Sequence, residues 1–252
     1  MRYFDAVIIG SGYTSLGFAL AQKRVLICEE SESCDVEFCS ALKSFKKVSY
    51  EPKTQYGKEL LAHYEELGLF SEDQQNCSIF ECGFCGFAMD KPVEFLLKCR
   101  VLQVCDCEEG KLVTLLTNSG LEQVCTNLVV SAKAPVKEKV FSLLFSVNDP
   151  QADLSQVQQI FPEGMVEPAF YENRGALHIP VTADADYNRV LEEVFDRWNR
   201  QAPAARIILL ASRFGAVAAE NTEMPMDASF DNPIAAFEAG YLFGLSRNAE
   251  GS

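Results

Sequence analysis

Positive charge is scarce in this sequence. Its 252 residues carry 22 Lys and Arg against 36 Asp and Glu, a formal net charge of −14. Nucleic acids and anionic bilayers are polyanions that recruit basic surfaces, so neither is an expected partner. A local pocket for a phosphate is still allowed. Long apolar runs are also missing. No window approaches 18 uninterrupted apolar residues, so no membrane span is expected. Met1-Arg-Tyr-Phe-Asp5 leads into an apolar run without a charged head, an extended apolar stretch or a small-residue cleavage site. The expectation is therefore a cytoplasmic protein without a signal peptide. Histidine occurs twice and tryptophan once, and the ten cysteines all lie between Cys28 and Cys125. Without an export signal, such thiols are expected to be reduced. No G-x-S-x-G, H-E-x-x-H or Walker loop occurs, so the chemistries those motifs carry have no support. What remains is a globular composition, 48% hydrophobic and 23% charged, long enough for one or two domains.

Phe4 to Ile9 is a short β-branched run that reads as a buried strand. Gly10-Ser-Gly12 opens the Ala- and Leu-rich Tyr13 to Gln22, which reads as a helix, and Val25 to Cys28 reads as a second buried strand closed by Glu29 and Glu30. Residues 31–56 show no order. Helices are expected over Lys58 to Leu67, stopped by Gly68, and over Lys91 to Lys98, with Pro92 at an early position. Three β-rich runs follow, Val101–Cys105, Leu112–Thr117 and Glu122–Cys125, parted by turn residues at Glu109-Gly110 and Asn118-Ser-Gly120. Leu128 to Ala132 returns as a buried strand. The character changes after Lys133-Ala-Pro135. Val140–Val147, Met165–Tyr171, Ala176–Val181 and Arg206–Ala211 read as strands, the first three in an antiparallel sheet. Asp184 to Arg200 is an amphipathic helix with Tyr187, Val190, Leu191, Val194, Phe195 and Trp198 on one face. Pro233 to Leu245 reads as a last helix, capped by Asp231 or Asn232. The expected class is α/β.

Gly10, Gly12 and Ser15 stand at the positions of G-x-G-x-x-G, between a strand and a helix. The first glycine permits a tight turn, the second lets a pyrophosphate approach the backbone, and the small third residue lets the helix pack on the strand. The helix aims free N–H groups and its positive dipole end at the phosphates. Glu29 follows Gly12 by 17 residues and ends the second strand, where a carboxylate can bind both ribose hydroxyls. Dinucleotide binding is the reading.

FDAVIIGSGYTSLGFALAQ with VLICEE resembles the N-terminus of FAD-dependent oxidoreductases with the glutathione-reductase-type FAD fold. VEFLLKCRVLQVCDCEEGKLVTLLTNSGLEQVCTNLVVSA is similar to that group's β-meander and following strand, and MPMDASFDNPIAAFEAGYLFGL to its closing segment. The resemblance implies FAD as cofactor. It implies a Rossmann-like FAD domain, a parallel sheet plus a three-stranded meander, over residues 1–135 and 212–252. An inserted antiparallel α+β substrate or cap domain would span 136–211. The implied cofactor residues are Gly10, Gly12, Tyr13, Thr14, Ser15, Glu29, Glu30 and Ala132, with Asp231, Asn232 and Pro233 at the last helix. The first helix and its exit are about four residues shorter than usual, roughly one turn. The paired glycines usual after the ribose acid are absent. So is the Gly-Asp pair that often touches ribityl or pyrophosphate groups, with Phe230-Asp231-Asn232-Pro233 standing near the C-terminus instead. The small residues Ala235, Ala236, Ala239, Gly240 and Gly244 form a face for packing against strands or cofactor.

Catalytic candidates lie in the second domain. His178 is the acid–base candidate, with Arg174 and Tyr171 close by in sequence. His63 reads as a solvated or capping residue. Cys82-Gly-Phe-Cys85 could be a redox dithiol, and with Cys77 it makes C-x4-C-x2-C, a spacing also used for an iron–sulfur cluster. Buried structural thiols are the expected outcome for most cysteines, and no metal is expected. Three functions stay open. The first is an FAD-binding oxidoreductase taking a hydride from a small organic substrate. The second is a non-catalytic flavin-binding subunit or assembly protein, with a protein redox partner or second subunit. The third is a flavin-linked dithiol reductase using Cys82 and Cys85.

Overall fold

The computed structural model of the chain describes residues 1–133, 136–201, 203–218 and 224–250. Ala and the β-branched residues of Phe4 to Ile9 fill the middle of strand β1 (Arg2–Ile9). Helix α1 (Tyr13–Leu20) returns the chain to β2 (Val25–Glu29), which is buried along its length. β1 pairs in parallel with β2 on one side and with β6 (Gly120–Ser131) on the other. With β3 (Val93–Leu97), β4 (Arg100–Cys107) and β5 (Gly110–Thr117) they form a six-stranded sheet in the order β3-β2-β1-β6-β5-β4. Glu122–Cys125 and all of Leu128–Ala132 but its last residue belong to one strand, not two: β6 closes the antiparallel meander against β5 with its first half and lies parallel to β1 with its second.

The helix expected over Lys91–Lys98 is a strand. Val93–Leu97 pairs in parallel with β2 from Val25↔Val93 to Glu29↔Leu97. So short an apolar run carries no period that separates strand from helix, and the open edge of β2 decides. The helix lies earlier, as α3 (Phe80–Met89), and contains Cys82 and Cys85. Helix α2 (Gln55–Glu66) starts at Thr54, whose hydroxyl accepts from the Gly57 amide at 3.0 Å. Residues 36–40 make one wide helical turn, in which Ser40 and Ala41 donate to the carbonyls of Asp35 and Val36, each at 3.1 Å.

The second sheet is antiparallel. β7 (Val136–Ser146) is flanked by β9 (Arg174–Val181) and β10 (Arg206–Leu210), with β8 (Met165–Pro168) outside β9. β11 (Gly215–Ala218) also pairs with β7, so this sheet continues past residue 211. Residues 134–135, at the expected boundary, lie outside the described residues. Strand alternation sorts the faces. Phe141, Leu143, Phe145, Leu177 and Ile179 pack under α5 (Tyr187–Gln201) and a helix the sequence reading overlooked, α4 (Pro150–Ile160). Asp149-Pro150 is its start signal: the Asp149 carboxylate accepts from the Gln151 and Ala152 amides at 3.1 and 3.2 Å. Ser142, Leu144, Ala176 and His178 point the other way, toward the first sheet's lobe.

The last helix, α6 (Pro233–Glu250), is capped by Asn232 and not Asp231. The Asn232 Oδ1 accepts from the Ile234 and Ala235 amides at 2.8 and 3.1 Å. Its small face is spent on α1 rather than on strands or a cofactor. A Cβ on Gly17 would stand 2.0 Å from the Phe237 carbonyl oxygen, and one on Gly240 would stand 2.0 Å from that of Thr14. Buried Glu238 joins α6 to the start of α2, accepting from the Tyr50 hydroxyl at 2.8 Å, the Lys53 amide at 2.9 Å and the Thr54 amide.

Candidate functional site

The glycine turn between β1 and α1 has the strained backbone its sequence predicts. Gly10 sits at φ +103°, in the left-handed region open to glycine, and the Ser15 hydroxyl braces the turn by donating to the Gly10 carbonyl at 2.8 Å. Glu29, 2% exposed, accepts from the Ser11 amide at 3.0 Å and the Ser31 amide at 2.8 Å, with the Lys133 ammonium 4.0 Å away. Glu30 is half-exposed and lies 3.7 Å from the same ammonium. Gly10, Thr14, Glu29, Ala132 and Lys133 share a cavity of about 270 Å³. Tyr13 contributes its amide only. Its ring turns into the core, with its hydroxyl on Asp35 at 3.2 Å and on the Tyr64 hydroxyl.

The anion seat at the start of α1 is taken by the chain's own carboxylate. Asp227 accepts from the Tyr13 and Thr14 amides, each at 2.8 Å. A Cβ on Gly12 would stand 2.2 Å from an Asp227 oxygen. The space over the second glycine is therefore filled. Burial raises the Asp227 carboxyl above its usual range, against the Thr14 and Tyr13 donors and the Lys43 charge, which favour the ion. Lys43 fixes the Asp227 loop by donating to the carbonyls of Asp227 at 3.1 Å, Ala228 at 2.8 Å and Phe230. The acid that reaches the turn is thus Asp227 and not Asp231, which lies in the wall of the neighbouring cavity. Both acids stand in Met226-Asp-Ala-Ser-Phe-Asp231, and spacing alone does not choose between them.

That neighbouring cavity holds about 640 Å³. The two cavities share Glu37, Ala216 and Ala228 in their walls. Glu37 is the hinge of this junction: its carboxylate accepts from the Ala216 amide at 2.8 Å, tying the 36–40 turn to β11. Burial pushes its carboxyl up to about 7, opposed by Lys43, the Ala216 amide and Arg213 and reinforced by Asp227. Glu37 and Lys43 fall in residues 31–56, where the sequence shows no order.

The larger cavity carries a polar line on the free face of the second sheet. His178 Nδ1 lies 2.9 Å from the Ser142 hydroxyl, and Nε2 lies 3.3 Å from Glu167. A carboxylate only accepts, so Nε2 carries the hydrogen and Ser142 donates to Nδ1. Glu167 also accepts from the Phe45 amide at 2.7 Å, which joins β8 to the first lobe. Burial opposes ionisation of Glu167, but His178, the Phe45 amide and Ser44 outweigh it and hold the carboxyl below its usual range. Arg174 and Tyr171 do not join this cavity. The Arg174 guanidinium lies over the half-exposed Tyr171 ring, 4.5 Å from its centroid, at the far end of β9. The partners missed in sequence are Ser142, directly opposite His178 on β7, and Glu167, which stands opposite Ala176 on β8 and reaches His178 on the diagonal, relations that exist only once the register is set.

The cysteines are all free thiols. The C-x-x-C pair does not act as a pair here: Cys82 is exposed, and Cys85 shares a hydrogen bond with Cys34 instead. His63 is half-buried between α2 and α3, its Nε2 3.2 Å from the Gly83 carbonyl. Among the described residues no helix is long and apolar enough to cross a membrane.

No protein-family model matches the sequence, and no curated protein sequence matches it. Solved structures do match. The p-nitrophenol 4-monooxygenase PnpA from Pseudomonas putida DLL-E4 aligns over 100% of this chain and 82% of its own, with a TM-score of 0.60 and 11% identity. The geranylgeranyl bacteriochlorophyll reductase-like protein Ta0516 from Thermoplasma acidophilum aligns over 99% of this chain and 80% of its own, with a TM-score of 0.58 and 15% identity. Aklavinone-11 hydroxylase, solved with FAD and aklavinone, aligns over 90% of this chain and 56% of its own, with a TM-score of 0.50 and 13% identity. The chain has their fold. It joins a Rossmann-like mixed α/β sheet to a separate antiparallel sheet, as the sequence predicts.

Proposed function

We propose that this chain is an FAD-binding oxidoreductase, with the cofactor lying through the Glu37 junction and a small organic substrate in the larger cavity beside His178. The observation that carries this reading is the continuity of the site. An amide-lined anion seat with a ribose-type acid beside it adjoins, across shared walls of Glu37, Ala216 and Ala228, a cavity whose polar line is His178, Ser142 and Glu167. That aklavinone-11 hydroxylase was solved with FAD supports the choice of dinucleotide.

The residues suit FAD in chemistry. Gly10, Gly12, Thr14 and Ser15 would hold the pyrophosphate through backbone N–H groups, Glu29 the ribose, and Ala132 with Lys133 would flank the adenosine side. The seat already binds a carboxylate, so it recognises anions, and FAD needs Asp227 to withdraw. When bound, FAD supplies acceptance of a hydride. The chain supplies the proton path: Ser142 can take a substrate proton at its oxygen as it passes its own to His178 Nδ1, and Glu167 fixes the ring and steadies the imidazolium that forms. Val48, Val140, Met165, Pro180 and Val217 give the cavity apolar wall for an organic substrate beside this line.

Desalted protein incubated with FAD should retain flavin absorbance, and an anaerobic substrate should bleach it. Retention without bleaching by any substrate would favour a flavin-binding subunit. A wild-type chain and an Asp227→Ala chain that both stay colourless would overturn the reading. FAD affinity should also rise as the pH falls through about 7. Above that value Glu37 is ionised and repels a phosphate, so anion binding takes up a proton and gains up to about tenfold for each unit the pH falls; below it the carboxyl is already neutral and the affinity levels off. Titrations of Glu37→Gln should lose this step.

A further inference from the structure

We propose that Cys34, Glu81 and Cys85 form a zinc site with an open fourth position. Glu81 and Cys85 stand four residues apart on α3, hence on one face of the helix, and Cys34 comes to that face from the loop after β2. The Cys34 amide donates to one Glu81 oxygen at 2.9 Å, which aims the carboxylate at the two thiols. The two sulfurs and a carboxylate oxygen all lie within 4.8 Å of one another. Zinc–sulfur bonds of about 2.3 Å in a tetrahedral site set sulfur atoms about 3.8 Å apart, so a contraction of about 1 Å at most completes the shell.

The donor set chooses the metal. Two thiolates and one carboxylate suit a borderline-soft divalent ion, whereas magnesium and calcium take oxygen alone. Thiolates and not thiols bind zinc, so metal binding must release protons. Glu81 lines a cavity of about 490 Å³ whose rim mixes both signs, Glu30 and Glu32 with Lys98 and Arg213, and this opening gives the fourth position access to solvent. Cys39 is spoken for, with its thiol donating to the Ser78 carbonyl at 3.5 Å. The consequence is positional. Cys34 precedes the 36–40 turn, so the metal would clamp α3 to the turn that carries Glu37.

The spacing C-x4-C-x2-C points to other ligands. Cys77 is buried at the foot of α3 and Cys82 is exposed, and neither belongs to the trio. This separates the test cleanly. The full chain, reduced, loaded with zinc and desalted, should retain about one zinc per chain by elemental analysis. Cys34→Ser and Cys85→Ser should lose it, Glu81→Gln should bind at least tenfold more weakly, and Cys77→Ser and Cys82→Ser should bind as wild type. Cobalt loading should give a thiolate charge-transfer band that vanishes in Cys34→Ser, with circular dichroism recording that each variant is folded. A folded, reduced wild type that retains no zinc would overturn the proposal. So would retention by the Cys34→Ser/Cys85→Ser double variant, or loss in Cys82→Ser, or a Cys34–Cys85 disulfide in a protein that binds no zinc when reduced.

Discussion

Asp227→Ala should bind FAD roughly 100-fold more tightly than the wild type. In the folded chain the Asp227 carboxylate sits on the Tyr13 and Thr14 amides, over Gly12, where a pyrophosphate would bind. The two anions exclude each other, so the measured affinity is the intrinsic one multiplied by the fraction of chains with Asp227 withdrawn. Each hydrogen bond to a charged group is worth about 1.5–3 kcal/mol. Burial of the carboxylate offsets part of the pair. A net preference of about 2.7 kcal/mol corresponds to the 100-fold factor. Asp227→Asn, which keeps one acceptor and sheds the charge, should fall between. Titration by flavin fluorescence checks the order Ala, Asn, wild type. The ligand-free Asp227→Ala chain should melt lower, since two buried N–H groups lose their acceptor, and should regain more stability with saturating FAD than the wild type does. Weaker binding by Asp227→Ala would mean that the carboxylate helps to hold the cofactor instead of excluding it.

How far the sequence reached depends on whether a feature is local. The turn at Gly10-Ser-Gly12, α1 and the placing of Glu29 at the end of β2 are legible because one βαβ unit contains them, and the residues that set the strain of the turn are neighbours. The two-sheet architecture is legible for a similar reason, since the strand runs and their turns lie in series. Asp227 is not legible in that way. It acts 213 residues from Thr14, and nothing between Met226 and Pro233 says which acid bends back. Glu37 and Lys43 stand in a segment without period, because a single wide turn and a loop leave none. The pair Cys34 and Cys85 is hidden for the opposite reason: Cys82-Gly-Phe-Cys85 offers a stronger local pattern that the fold does not use.

Gly240→Val should remove the folded state, or lower its stability by about 3 kcal/mol or more. The crossing of α1 and α6 is a contact of backbone on backbone. The position of a Cβ on Gly240 lies 2.0 Å from the Thr14 carbonyl oxygen and 2.7 Å from its carbon, and the reciprocal contact of Gly17 with Phe237 is as close. Neither neighbour is a flexible side-chain end that can step aside, so the helices must separate by the better part of a methyl group. Overpacking in a dense core costs about 1–3 kcal/mol where side chains can yield, and here backbone must move. Gly240→Ala makes the same contact with less bulk and should cost less than Val but remain destabilising, despite the better helix propensity of alanine. Thermal or urea unfolding followed by circular dichroism checks both variants. The same displacement would move the first turn of α1, and with it the Tyr13 and Thr14 amides that make the anion seat. FAD binding by any surviving Gly240→Ala protein should therefore weaken, whereas loosening the Asp227 contact strengthens it. Opposite signs at two positions that both touch α1 separate a damaged seat from an emptied one.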